Sequence, residues 1–136
     1  MVKTISCGLL LILSLFLPAS SEARLGESRS SAEGRAAGWK AKYGAVVPII
    51  NTDSAGRVVQ ECWAGPPEGW NKATALKFAT ELLPAAARAT EPKQLEVDGH
   101  LTVFAVGDQY RVYLSGFQGT IYDLEVATID YRGERC

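Results

Sequence analysis

The chain has 136 residues, 47% apolar and 21% charged, with 14 Lys and Arg against 15 Asp and Glu for a formal net charge of −1. That balance excludes the strongly basic footprint of a nucleic-acid binder and the charge excess of a disordered chain. The length suits one domain of ordinary size.

The first 23 residues have the order of a secretory signal peptide. Lys3 supplies the positive start, Ile5 to Leu17 is an apolar run broken only by Ser6, Gly8 and Ser14, and Pro18 ends it. Ser21-Glu22-Ala23 then places small residues at the −3 and −1 positions of a cleavage site. Cleavage is expected after Ala23, with Ala19-Ser20-Ser21 a second exit. The rival reading is a membrane anchor, but a spanning helix needs about 20 apolar residues. Periplasmic or secreted localisation follows, with no stable membrane anchor after cleavage.

Export reframes the cysteines. Cys7 leaves with the leader, so Cys62 and Cys136 remain, and an isolated pair in an oxidising compartment is expected to form one disulfide. The alternative is an intermolecular bridge or free thiols. Neither Asn51-Thr52-Asp53 nor Asn71-Lys72-Ala73 is a glycosylation sequon.

Residues 24–30 read as a flexible lead and 31–136 as a single α+β domain. Ser30 and Glu33 form a capping box that opens a helix over 31–43. Ala32, Ala36, Trp39 and Tyr43 share one face of it, and Gly44 stops it. Val46 to Ile50, carrying Pro48, reads as an edge strand or a strand start. It turns through Thr52–Gly56 into Arg57–Trp63 as a short hairpin. Ala64–Trp70 is a loop stiffened by Pro66-Pro67.

Asn71 caps the main helix, whose apolar face is Leu76, Ala79, Leu82 and Leu83 with Phe78 flanking. Pro84 ends it or opens one further turn over 85–89. Strands follow over 94–97, 101–106, 109–115 and 120–131, joined at Asp98-Gly99, Gly107-Asp108 and Gly116–Gly119. A change of alternation along the last strand predicts a bulge near Val126-Ala127. The expected architecture is a four-stranded antiparallel meander packed by one main helix, with an N-terminal helix and an additional hairpin.

The residue inventory is poor in catalytic groups. His100 stands alone after a turn, too little for a zinc site, and no phosphate, dinucleotide or calcium motif is present in the sequence. No cofactor or metal is expected. Asp123 and Glu125 share a strand face about 6.5–7 Å apart, the one spacing open to a two-carboxylate hydrolase. The aromatic residues are the stronger lead. A contact surface centred on Trp63, Pro66, Pro67, Trp70 and Phe117 would be rigid and amphipathic, unless the tryptophans pack into the core.

Two family resemblances follow from these residues. An exported chain with a short helix ending in Tyr43-Gly44, a second helix and an antiparallel meander resembles, over about half its length, small periplasmic proteins of the BamE or lactamase-inhibitor-like fold. That resemblance implies binding to other proteins; the hairpin at 46–63 departs from it. Ser115-Gly116-Phe117-Gln118-Gly119 resembles the Ser-Gly-x-x-Tyr loop of secreted lysozyme inhibitors. Glycine stands where tyrosine belongs, so the reactive tip does not carry over. Neither resemblance assigns the chain to a family. The expected function is non-enzymatic binding of a protein or envelope component. The alternatives are a small carboxylate hydrolase using Asp123 and Glu125, or a subunit of an exported assembly that adds a strand near Val46.

Overall fold

The structure is a computed structural model that describes residues 25–136. The leader expected over 1–23 lies outside the described residues. From Leu25 onward the chain is tied to the body of the domain. Leu25 is buried, its N–H donates to the Leu82 carbonyl, Gly26 donates to Val58, and Val58 donates back to Glu27. The segment expected as a flexible lead is therefore docked along 25–28.

Two helices stand where one was expected, α1 (Arg29–Gly34) and α2 (Ala36–Tyr43). The cap is Ser28, not Ser30: its Oγ accepts the Ser31 N–H at 3.3 Å. Bridging to Arg57 holds Ser28 extended, the backbone geometry an N-cap needs. The predicted apolar stripe survives the break at Arg35. Ala32 and Trp39 are buried, and Ala36 and Tyr43 pack against the core. Gly44 closes α2 in the left-handed conformation, φ 67°, as the sequence anticipates.

The strands are β1 (Val46–Thr52), β2 (Val58–Ala64), β3 (Trp70–Asn71), β4 (Lys93–Val97), β5 (Leu101–Val106), β6 (Tyr110–Phe117) and β7 (Thr120–Thr128). All seven join one antiparallel sheet in the order β1-β2-β7-β6-β5-β4, with β3 also on β7. The fold class is α+β, but the sheet is larger than the four-stranded meander expected. The meander is there as β4 to β7. The hairpin extends it because β2 pairs with β7, Cys62 opposite Glu125 and Trp63 opposite Leu124. β7 is long enough to take β6 along one edge and both β2 and β3 along the other.

Helix α3 (Lys72–Glu81) begins at Asn71, whose side chain accepts the Thr74 N–H at 2.8 Å, and α4 (Ala85–Arg88) follows Pro84. Both match expectation. Phe78, read as flanking, is instead the centre of the core. Its ring stacks on Tyr43 at 4.5 Å between centroids and meets Trp39, Trp63 and Trp70 at 5.4–5.7 Å. Such aromatic pairs add about 0.5–1.5 kcal/mol each beyond the area they bury.

The bulge in β7 lies at Tyr122. Ser115 pairs with Asp123 and Gly116 with Ile121, so Tyr122 is the extra residue. Gly116 is required there, since a Cβ would collide with the Thr120 carbonyl. Pairing through Val126 and Ala127 is unbroken. The run Leu124–Ala127 is buried throughout because both faces of the sheet are covered there. Leu124 and Val126 join the aromatic core, while Glu125 lies under residues 134–136, which return across the opposite face. That returning segment defines the site.

Candidate functional site

Beyond β7 the chain leaves the sheet, where the sequence suggested a strand continuing to Tyr131. Ile129 donates to the Gln109 carbonyl and Tyr131 to that of Thr128. The chain then doubles back as a strap. Cys136 and Cys62 are paired at disulfide distance, Cα–Cα 6.0 Å, across 74 positions. This is the pair the sequence singles out.

Glu125, 3% exposed, anchors the strap electrostatically. Its Oε2 accepts from Arg135 Nη1 at 2.6 Å and from Gln60 Nε2 at 2.9 Å, and its Oε1 accepts the Cys136 N–H at 3.1 Å. Gln60 Nε2 also donates to the Glu134 carbonyl, and Gln60 Oε1 accepts from Asn51. Both Glu125 oxygens and the Gln60 amide are thus hydrogen-bonded, as burying a charge requires. The Arg135 guanidinium lies over the Tyr113 ring at 4.7 Å and the Tyr131 ring at 5.3 Å.

Beside the strap, on the face of the sheet away from α3, is a groove of about 490 Å³. Arg135 and Cys136 form one side. Tyr113, Ser115 and Leu101 contribute to its lining from β6 and β5, and Asp123 and Tyr122 from β7. The far side is Phe117, 55% exposed, whose ring stacks on His100 with centroids 5.7 Å apart and planes 11° from parallel. The turn before His100 is tightly made. Asp98 Oδ1 accepts the N–H groups of His100 and Leu101, and these bonds hold its carboxyl below the ordinary carboxylate range.

The expected site residues divide. Phe117 lines the groove. Trp63 and Trp70 are 2% and 5% exposed, so neither ring is available to a partner in the folded chain. Both pack on Phe78, and Trp70 Nε1 donates to the Tyr43 carbonyl at 2.7 Å. The loop between them closes over the core instead of presenting it: Gly65 lies against the Trp70 ring, and Pro66 packs on Gly44. Pro67 is exposed, but neither proline lines the groove.

Asp123 and Glu125 share a face, as the alternation implies, but their environments differ sharply. Asp123 is exposed in the groove, whereas three donors occupy Glu125. A carboxylate so engaged is already committed to the Arg135, Gln60 and Cys136 donors, whereas a two-carboxylate mechanism asks both groups to face a water or a leaving group. The two sulfurs and Glu125 have ligand atoms within 4.8 Å of one another. They do not fit a metal, because the sulfurs are bonded together and Arg135 already compensates the carboxylate.

Sequence reasoning missed Tyr113, Ser115, Tyr122 and Arg135. The signal for Arg135 was its place beside Cys136: once that cysteine is tied to β2, its neighbour must lie on the sheet. Compared with protein-family models, with curated proteins and with solved structures, the chain matches none.

Proposed function

We propose that this chain is an exported, non-enzymatic binding module that takes a protein or envelope component on the open face of its sheet. The observation that carries the reading is the groove between the anchored strap and the Phe117–His100 stack. One side is held by the disulfide and by the Arg135–Glu125 pair, and the other presents an aromatic ring to solvent. A surface held in place before binding loses little conformational entropy when a partner arrives. Large exposed apolar side chains also mark contact sites when they gather in one place, and Tyr122 joins Phe117 there. The disulfide is compatible with an oxidising, exported location, and the order of charge, apolar run and small residues over 1–23 supports export.

Strand addition at β1 has less support. Val47 stands at φ 42° and is 77% exposed, and the register shifts between Val46 and Ile49 across Pro48. A bulge and a proline interrupt the row of backbone donors that an added strand would need.

A photo-crosslinking residue placed at Phe117, and separately at exposed Glu33 on α1, tests the reading in the native envelope fraction. A discrete adduct from position 117 that position 33 does not give is the expected result. Equal labelling from both positions, or none from either, would overturn it.

A further inference from the structure

The strap shows how this face holds a cation. Glu125 lies opposite Tyr113 across the β6–β7 pair, and the Arg135 guanidinium is seated between that carboxylate and the Tyr113 ring. Two residues along β7, about 6.5–7 Å away by the strand rise, Asp123 lies opposite Ser115 on the same face. It too lines a wall with aromatic rings, Tyr122 beside it and the Phe117–His100 stack across the groove. Yet among the described residues the Asp123 side chain has no ion pair or hydrogen bond with its own chain. The two carboxylates therefore share a sheet face but are opposite in state: the strap buries and neutralises one, and the groove leaves the other to solvent.

Charge complementarity then selects the occupant. Arg135 and Glu125 cancel, and Asp123 leaves the groove negative. A carboxylate beside aromatic faces attracts an ammonium or guanidinium, by the ion pair and by the ring quadrupole together. The exposed Phe117 ring and the Leu101 side chain ask for an apolar group next to that charge, which a peptide supplies and a bare cation does not. Resting on the reading of the groove as the binding surface, we infer that its occupant is a polypeptide segment carrying an arginine or lysine next to an apolar side chain. The cation sits at Asp123 and the apolar group against Phe117.

The test is a titration of the oxidised protein, followed by its backbone amide NMR signals, with three acetylated and amidated tripeptides, Leu-Arg-Leu, Leu-Gln-Leu and Leu-Glu-Leu. The arginine peptide is expected to shift the signals of Ser115, Phe117 and Asp123 and to bind about fivefold or more tighter than the glutamine peptide. Asp123→Asn should abolish that preference, whereas Asp130→Asn, a change at another exposed carboxylate, should keep it. Equal binding of the arginine and glutamine peptides would overturn the charge selection while leaving the groove as a binding surface. A glutamate peptide that binds tightest would overturn it in favour of Arg135. If no peptide moves the groove signals, the peptide inference falls, and the crosslinking from position 117 decides the groove reading separately.

Discussion

Arg135 binds Glu125 at 2.6 Å from within the strap, so a carboxylate on the seventh strand is held by a residue that has left the sheet and returned. Glu125 also accepts from Gln60 and from the Cys136 amide. Replacing it by glutamine removes the charge and puts an amide donor among donors. Glu125→Gln should destabilise the domain by about 1–3 kcal/mol, measured as a lowered urea midpoint. An unchanged midpoint would mean that the strap does not depend on this carboxylate.

The disulfide holds the same strap covalently. Closing a loop of this size removes about 4 kcal/mol of denatured-state entropy in the chain-entropy account. The double variant Cys62→Ser with Cys136→Ser should lose stability on that scale, and a reducing agent should bring the parent to the same urea midpoint. The oxidised protein should also be two daltons lighter than the reduced one by mass spectrometry. If reduction leaves the midpoint in place, the noncovalent contacts of Glu125, Gln60 and Tyr113 hold the strap without the disulfide.

Trp70 and Phe117 are both aromatic residues beside turns, but they should respond oppositely to truncation. Trp70 is buried against Phe78 and its indole N–H is bonded. Trp70→Ala should cost about 3–5 kcal/mol. Phe117→Ala, at an exposed ring, should stay within about 0.5 kcal/mol in stability while losing the partner adduct formed at the groove. Thermal unfolding of the two variants side by side separates a core residue from a contact residue.

Tyr43 and Glu81 couple stability to pH at both extremes. Tyr43 donates to Glu81 at 2.6 Å, and Lys42 donates to the same carboxylate at 2.9 Å. Burial raises the Tyr43 hydroxyl above its ordinary value of 10.0, and the bond to Glu81 and its charge raise it further. For Glu81 burial pushes upward, but the bonds from Tyr43 and Lys42 outweigh it and hold the carboxyl below its ordinary value of 4.5. The unfolded chain therefore binds more protons than the folded one as pH falls from 4.5, and that contribution is lost in acid. Above pH 10.0 the folded chain keeps the tyrosine proton longer, so stability falls as pH rises. Tyr43→Phe should be less stable than the parent between these limits, and the difference should shrink towards both ends of a pH series of urea midpoints. A constant difference would rule out the coupling.

Much of the local structure can be read from neighbouring residues alone. Asn71 caps α3, Gly44 ends α2, and Asp98-Gly99 and Gly107-Asp108 turn the meander, because a cap or a turn is decided by chemistry within a few positions. Cys62 and Cys136 are matched by elimination. Alternation along β7 correctly puts Asp123 and Glu125 on one face.

What alternation cannot say is what covers that face. Gln60 and Glu125 meet across 65 positions, and the pairing of β2 with β7 that brings them together adds the β1–β2 hairpin to the four-stranded meander, with β3 joining β7 separately as the seventh strand. The same long-range closure buries Trp63 and Trp70 around Phe78 and leaves Phe117 in solvent, although all three have aromatic side chains beside a loop or turn. Propensity acts over a turn of helix or a strand pair, whereas burial depends on which distant surface arrives. Only the return of the strap therefore distinguished a neutralised carboxylate from an open one, and with it decided where the groove lies.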